Sequence, residues 1–145
     1  MTSDDPLALD RQVCFALVAT SRSVVAFYKP VLEPLGLTHP QYLVMLALWE
    51  TSPRTLRDIA DTLALDPATA SPLIKRLEAA GLVARERDPA DERALAIRLT
   101  EAGRALRSRA ESVPGTVLER LGMNLEELEE LRDGLTRLLD ATRRV

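Results

Sequence analysis

Cys14 and His39 define the chemistry open to this chain, because each is the only residue of its type among 145. A single cysteine excludes an internal disulfide, and one Cys with one His supplies at most two ligands of the usual zinc-site kind. We therefore predict no metal site and no cofactor. A lone thiol can still act as a redox sensor, provided that it ionises and that an oxidant reaches it.

Both residues also have ordinary structural interpretations. A free cysteine in an apolar helix is most often a buried, inert residue. His39 is either a surface residue of a capping turn or a partner that exchanges a proton with the Cys14 thiol, and a helix N-terminus favours its neutral imidazole. An enzyme is not predicted, since the chain has no resolving cysteine and no recognisable set of nucleophile, base and orienting group.

The composition is that of one ordinary globular domain. Hydrophobic residues make up 46%, charged residues 28%, and the formal net charge is −3. The longest uninterrupted apolar run, Tyr42–Trp49, is far shorter than the roughly 20 residues of a membrane span. The acidic N-terminus has neither the basic nor the apolar region of a secretory signal. We expect a soluble, cytoplasmic protein with no membrane partner.

Two helices are predicted in the N-terminal third. The first runs from about Leu7 to Val31 and is closed by Pro30 and Pro34. Thr38 opens a second helix with the pattern of a capping box, and this helix is apolar on nearly all sides through Trp49. The first helix carries one apolar stripe, formed by Val13, Leu17, Val24 and Val31.

A helix-turn-helix follows. Thr55 begins a short helix, and Asp66-Pro67 is a strong start signal for the next one, which ends before Gly81. Pro72 leaves two possibilities open: the helix is bent there, or Ser71-Pro72 is its true beginning.

Strand-like patterns come next. Residues 82–87 and 95–99 read as two strands, joined by a charged tip at 88–93. Thr100 caps a helix that runs to Pro114-Gly115, and Asn124 caps a last helix with leucines 128, 131, 135 and 138 on one face. The predicted fold is mainly α (α+β), a winged helix-turn-helix between long N- and C-terminal helices.

This arrangement is typical of proteins that dock on double-stranded DNA. The second helix of the motif exposes hydroxyls and cations that can hold phosphate or contact bases, and the wing is rich in arginine. The charge balance is weak support for DNA binding, because residues 67–98 hold six basic and five acidic side chains and so have almost no net positive charge. A helical interaction protein without DNA affinity therefore remains an alternative. The candidate DNA contacts are Thr69, Ser71, Lys75 and Arg76 on the helix and Arg85, Arg87 and Arg93 on the wing.

The terminal helices carry more apolar surface than one small domain can cover. Pairing with a second copy would bury it, and a two-fold homodimer would contact two half-sites of a pseudopalindromic operator.

Several segments resemble the MarR family, and more narrowly its organic-hydroperoxide-sensing (OhrR) branch. The family-wide signal lies in the wing and in Leu99-Thr100-Glu101-Ala102-Gly103. The narrower signal lies in Cys14-Phe15-Ala16-Leu17, Pro40-Gln41-Tyr42-Leu43 and Leu48-Trp49-Glu50. The similarity covers residues from about 7 to about 120.

The resemblance implies one MarR-type domain with four parts. They are a disordered tail at residues 1–6, dimerisation and supporting helices at 7–50, the winged helix-turn-helix at 51–100 and dimerisation helices at 101–145. It also implies a repressor that leaves its operator when an organic hydroperoxide oxidises Cys14, after which a small thiol caps the sulfur. Tyr28 matches a tyrosine that approaches this cysteine across the dimer. The resemblance also places Pro72 in the family's recognition helix and Asp91 in its wing. Both residues are therefore added to the candidate DNA-binding residues.

The chain departs from the branch at two positions near the cysteine. Val18 stands one turn after Cys14 and His39 stands before Pro40, where that branch commonly has tyrosines. These departures keep a second hypothesis open, in which Cys14 is structural and a small aromatic or lipophilic ligand releases the repressor.

Overall fold

The structure is a computed structural model and describes residues 4–9 and 12–144. It forms two compact units, one up to Glu111 and the other from Ser112. Of the expected disordered tail, residues 1–3 lie outside the described part of the chain.

The first unit opens with a long helix, α1 (Val13–Leu32), followed by one 3₁₀ turn at Glu33–Leu35. The predicted start at Leu7 is wrong. Asp5 accepts a hydrogen bond from the Leu7 backbone N–H through its side chain, and this local turn competes with a helix. Pro30 also does not end α1, because it lies inside the helix.

The second helix, α2 (His39–Glu50), begins with the predicted capping box. The Thr38 hydroxyl accepts from the Gln41 N–H, and the Gln41 side chain accepts from the Thr38 N–H. The helix is the centre of the core, as expected from its apolar sequence. Its buried residues are Tyr42, Val44, Met45, Ala47 and Leu48.

The helix-turn-helix consists of α3 (Leu56–Thr62) and α4 (Pro67–Ala79). Thr55 caps α3 by accepting from the Asp58 N–H, as predicted. The structure decides the question raised by Pro72: α4 begins at Pro67 and continues through Ser71 and Pro72. Asp66 is its N-cap residue without a side-chain capping bond.

A three-stranded antiparallel sheet forms the wing, in the order β1 (Arg54–Thr55), β3 (Asp91–Leu99), β2 (Val83–Asp88). Strand β1 was not predicted, because two residues are too few to show alternation. The predicted tip at residues 88–93 is too long, because Asp88 and Asp91 pair across a turn that contains only Pro89 and Ala90.

Helix α5 (Glu101–Ala110) closes the first unit against α2. The indole N–H of Trp49 donates to the carbonyl oxygen of Gly103 at 2.9 Å. A Cβ on Gly103 would lie 2.1 Å from the backbone oxygen of Leu82, so only glycine fits this position.

The second unit contains α6 (Val113–Leu121) and α7 (Leu125–Arg143). The prediction that one helix runs from Thr100 to Pro114-Gly115 is wrong. The first helix ends at Ala110, and Pro114 lies in the first turn of α6, where its missing N–H costs no helical bond. Asn124 caps α7 through the predicted capping box.

Both long terminal helices are apolar on surfaces that the described chain leaves uncovered. On α1, Val13 is 64% exposed and only Leu32 is buried, and α7 has no buried residue. Residues 13–35 are long and apolar enough to cross a bilayer by length and composition. This segment contains no long uninterrupted apolar run, because polar residues such as Arg22 lie among the apolar ones, and it was therefore not predicted from the sequence.

Candidate DNA interface and cysteine site

Helix α4 presents the predicted recognition residues on its outer face. Its inner face is buried in the core, through Ala70, Leu73, Ile74 and Leu77. The opposite face carries Thr69, Pro72, Lys75 and Arg76, all exposed, with Ser71 half-buried at its edge. The structure therefore brings all five predicted residues of this helix to one side, where they can enter a groove of DNA.

The wing places three of its predicted residues at or near the tip. Arg87, Asp91 and Arg93 are exposed, and Asp91 accepts a hydrogen bond from the Arg93 backbone N–H at 3.0 Å. Asp88 accepts from the Ala90 N–H at 2.9 Å, which fixes the tight turn. Asp91 thus constrains the first residues of β3, which carry Arg93.

Arg85, the fourth predicted wing residue, is engaged within the protein. Its side chain lies on the strand face of Ile97, its cross-strand partner, and reaches Glu78 of α4. The distance from Nη2 to the Glu78 carboxylate is 2.9 Å, and Nε lies 3.1 Å from both carboxylate oxygens. The Arg85 side chain, through these hydrogen bonds and its charge, holds the pKa of Glu78 below its usual value. This pairing partner was not recognised from the sequence.

A cleft of about 590 Å³ separates the wing from the helix-turn-helix. Its lining includes Arg57 and Arg93, together with Pro67 at the start of α4. Arginines of both the wing and the helical part therefore face the same concave surface, together with the carboxylates of Asp88 and Asp91.

Cys14 lies in the first turn of α1 and is exposed. The expectation that a lone cysteine in this helix is buried does not hold within one chain. Tyr28, its predicted partner, lies fourteen residues further along the same helix, which is about 21 Å at 1.5 Å per residue. The structure of one chain therefore does not bring Cys14 and Tyr28 together.

Tyr28 and His39 do lie together. Their ring centroids are 4.8 Å apart, with the ring planes tilted by 59°. Burial lowers the pKa of His39 and raises that of Tyr28, because both charged forms lose water. At neutral pH the pair therefore consists of a neutral imidazole and a neutral phenol.

Tyr42 completes this aromatic cluster and was not identified as a site residue from the sequence. Its ring centroid lies 6.1 Å from that of Tyr28, and its side chain is almost fully buried. The signal was present, since Tyr42 follows His39 by three residues and so shares its face of α2.

A second cavity, of about 500 Å³, lies beside His39. Arg22, Lys29 and Glu33 contribute charged side chains from α1 and the turn after it, and His39 lies at the α2 side. The remaining wall is largely apolar and includes Val25, Ala26 and Leu37. A pocket of this size and character can hold a small amphipathic molecule.

Known proteins with similar sequences are DNA-binding transcriptional regulators, which agrees with the winged helix-turn-helix described above. The sequence signature of the MarR family matches residues 37–95, which include the helix-turn-helix and most of the wing. The organic hydroperoxide resistance transcriptional regulator of Bacillus subtilis is 41% identical over 94% of this chain and 92% of its own length.

Solved structures agree with the sequence match. Reduced AbfR bound to DNA, a Staphylococcus epidermidis protein, has a TM-score of 0.76 and 34% identity, covering 92% of this chain and 94% of that one. Bordetella bronchiseptica BpsR, whose DNA binding is regulated by 6-hydroxynicotinic acid, has a TM-score of 0.82 and 29% identity, covering 94% and 99%. The relatives are DNA-binding regulators rather than enzymes, and on this similarity over nearly its whole length the chain belongs to the MarR family of transcriptional regulators.

Proposed function

We propose that this chain is a homodimeric, cytoplasmic repressor that leaves a pseudopalindromic operator when an organic hydroperoxide oxidises Cys14. Its membership of the MarR family supports DNA binding, and its similarity to a hydroperoxide resistance regulator supports the signal. The observation that carries the proposal is that Cys14 and Tyr28 lie far apart on one largely exposed helix, α1, while His39 of α2 packs against Tyr28.

A second copy would remove that separation. Two α1 helices that run antiparallel about a two-fold axis would place Cys14 of one chain near Tyr28 and His39 of the other. The same pairing would cover the apolar surface of α1, which also explains why this helix is apolar enough to resemble a membrane span. The uncovered leucines of α7 would be buried in the same dimer.

The redox step would be an ordinary thiol oxidation. The Cys14 thiolate attacks the distal oxygen of the hydroperoxide, the O–O bond breaks, and the alkoxide takes a proton and leaves as an alcohol. A small thiol then attacks the resulting sulfenic acid, which forms a mixed disulfide and releases water. The Tyr28 phenol would donate to the sulfur, as the matching tyrosine of the branch does. The His39 imidazole would donate to the sulfur or accept its proton, in place of the tyrosine that this chain lacks at that position.

The added group would change the dimer. A mixed disulfide is larger and more polar than a thiol, so it cannot stay in an apolar helix interface without moving the helices. Moving α1 would alter the distance between the two α4 helices, and one half-site would be lost.

The test is fluorescence anisotropy of the protein on DNA from upstream of its own gene, titrated with cumene hydroperoxide and a small thiol. We expect the wild type to release the DNA and Cys14→Ser to bind normally but stay bound. Release by the Cys14→Ser variant would contradict the redox proposal.

The 500 Å³ cavity favours a second candidate, a repressor released by a small aromatic or lipophilic acid. Arg22 and Lys29 supply cations for a carboxylate beside an apolar wall, and BpsR is regulated by an aromatic acid. Under this hypothesis, DNA release would require the acid and Arg22 but not Cys14. Aromatic acids screened on wild type, Cys14→Ser and Arg22→Gln therefore separate the two candidates.

A further inference from the structure

We propose that Glu78 and Arg85 form a clamp that fixes the wing relative to the recognition helix, so that Arg85 supports DNA binding through Glu78 rather than by contacting phosphate. Both are positioning residues in this role. The inference rests on DNA binding by the winged helix, and it is independent of the oxidation of Cys14.

The contact geometry is that of a fork rather than a single surface contact. Three guanidinium-to-carboxylate distances are 2.9, 3.1 and 3.1 Å, and the Arg85 backbone N–H also lies 3.4 Å from Glu78 Oε2. The two side chains are 33% and 37% exposed, so they are partly shielded from water. Such a multidentate contact fixes orientation as well as distance.

The clamp spans the turn between α4 and β2. Gly81, with φ of +78°, is the left-handed residue at which the chain leaves the helix. Glu78 lies three residues before it and Arg85 four residues after it, so their contact bridges the turn. The base of the wing is anchored separately, because the Thr100 hydroxyl donates to the Gly81 carbonyl oxygen at 2.6 Å.

A small rotation at this turn would move the wing tip by a large amount. Eight extended residues from Gly81 to Pro89 span about 26 Å, so a tilt of about 10° displaces the tip by roughly 4–5 Å. The α4 residues and Arg93 could then no longer reach their DNA contacts together. The Arg98–Glu86 ion pair, at 3.4 Å, lies within the sheet and does not restrain this motion. The Arg54–Asp58 ion pair, at 3.0 Å, joins β1 to α3 at the base of the sheet, far from the wing tip.

The clamp and a direct phosphate contact predict opposite effects for Glu78→Gln. If Arg85 contacts phosphate, this variant removes a negative charge near the DNA and frees the guanidinium, so binding becomes tighter. If the clamp positions the wing, the variant weakens binding to a specific site. Glu86→Gln is the matched control, since it removes the same charge and an ion pair from the wing but leaves the clamp intact.

The experiment measures binding to a duplex that the wild-type protein selects from a random library, and to an unrelated duplex, over a series of salt concentrations. We expect Glu78→Gln and Arg85→Gln each to weaken specific binding about fivefold. The double variant should lose no more than either single one, and Glu86→Gln should stay within about twofold of wild type. Binding of every variant to the unrelated duplex should stay within about twofold of wild type, so the loss is confined to the specific site, which a loss of folded protein could not produce.

The salt dependence decides the role of Arg85. The slope of log Kobs against log salt is negative, and a lost phosphate contact reduces its magnitude by about 0.9, whereas the loss of a positioning residue leaves it unchanged. Tighter binding by Glu78→Gln, a reduced slope for Arg85→Gln, or additive losses in the double variant would each overturn the proposal. Thermal melts and stoichiometric titrations of each variant establish the active folded fraction used in every fit.

Discussion

Tyr28 of α1 lies against His39 of α2, with 4.8 Å between the ring centroids. The two residues come from different helices, and His39 occupies the first position after the Thr38 cap. The capping box that starts α2 therefore also fixes the imidazole beside the phenol. A sequence feature that serves helix formation thus places one member of the candidate redox site.

We expect Tyr28→Phe to slow the oxidation of Cys14 by cumene hydroperoxide about tenfold, because it would remove the hydrogen bond to the charged sulfur that we propose across the dimer, but would keep the ring. The rate is measured by trapping the sulfenic acid with dimedone and quantifying it by mass spectrometry. Ser23→Ala, which removes an exposed hydroxyl from the same helix, serves as the control and should react like the wild type. An unchanged rate in Tyr28→Phe would remove Tyr28 from the site.

The lowered pKa of His39 predicts a pH dependence of stability. Since the folded chain binds this proton less readily than the unfolded chain, stability should fall as the pH decreases below the ordinary histidine value of about 6.5. His39→Gln removes this contribution. Thermal melts at pH 7.5 and pH 5.5 should therefore show a larger decrease in Tm for the wild type than for His39→Gln. Equal decreases in Tm would mean that the pKa of His39 is the same in the folded and unfolded states.

Lys75 is exposed on the outer face of α4, where it can contact phosphate. We expect Lys75→Ala to weaken binding to specific and unrelated duplexes by similar factors, and to reduce the magnitude of the negative slope of log Kobs against log salt by about 0.9. Arg107→Ala removes a comparably exposed cation from α5 and should leave the slope unchanged. A loss confined to one DNA sequence would instead assign Lys75 to base recognition.

Gly103 tests the packing between α5 and the start of the wing. Gly103→Ala should destabilise the fold by about 3 kcal/mol or more, because its Cβ would clash with the Leu82 backbone rather than with a movable side chain. Gly115→Ala, at a helical position with open space around it, should be neutral or stabilising by up to about 1 kcal/mol. Urea denaturation monitored by circular dichroism measures both free energies of unfolding. Equal stabilities for the two variants would contradict the close approach at Gly103.

Much of the fold could be predicted because its signals are local. The caps at Thr38, Thr55, Thr100 and Asn124 each satisfy backbone groups within four residues, and all four mark helix starts in the structure. The exposed and buried faces of α4 follow from its 3.6-residue period in the same way. Pro114 shows the limit of such signals, because proline ends one helix and starts another equally well.

For the candidate site, the sequence reveals the residues but not the contacts between them. The types and positions of Cys14 and the α4 residues were available in the sequence, since they depend on chemistry and on periodicity. The pairing of Arg85 with Glu78 depends on how a strand returns across a helix after Gly81, and no local pattern encodes that distance. The sequence therefore determined which residues could act, whereas the tertiary structure decided which of them touch. Contacts between side chains remote in sequence arise only when packing closes the chain around its core.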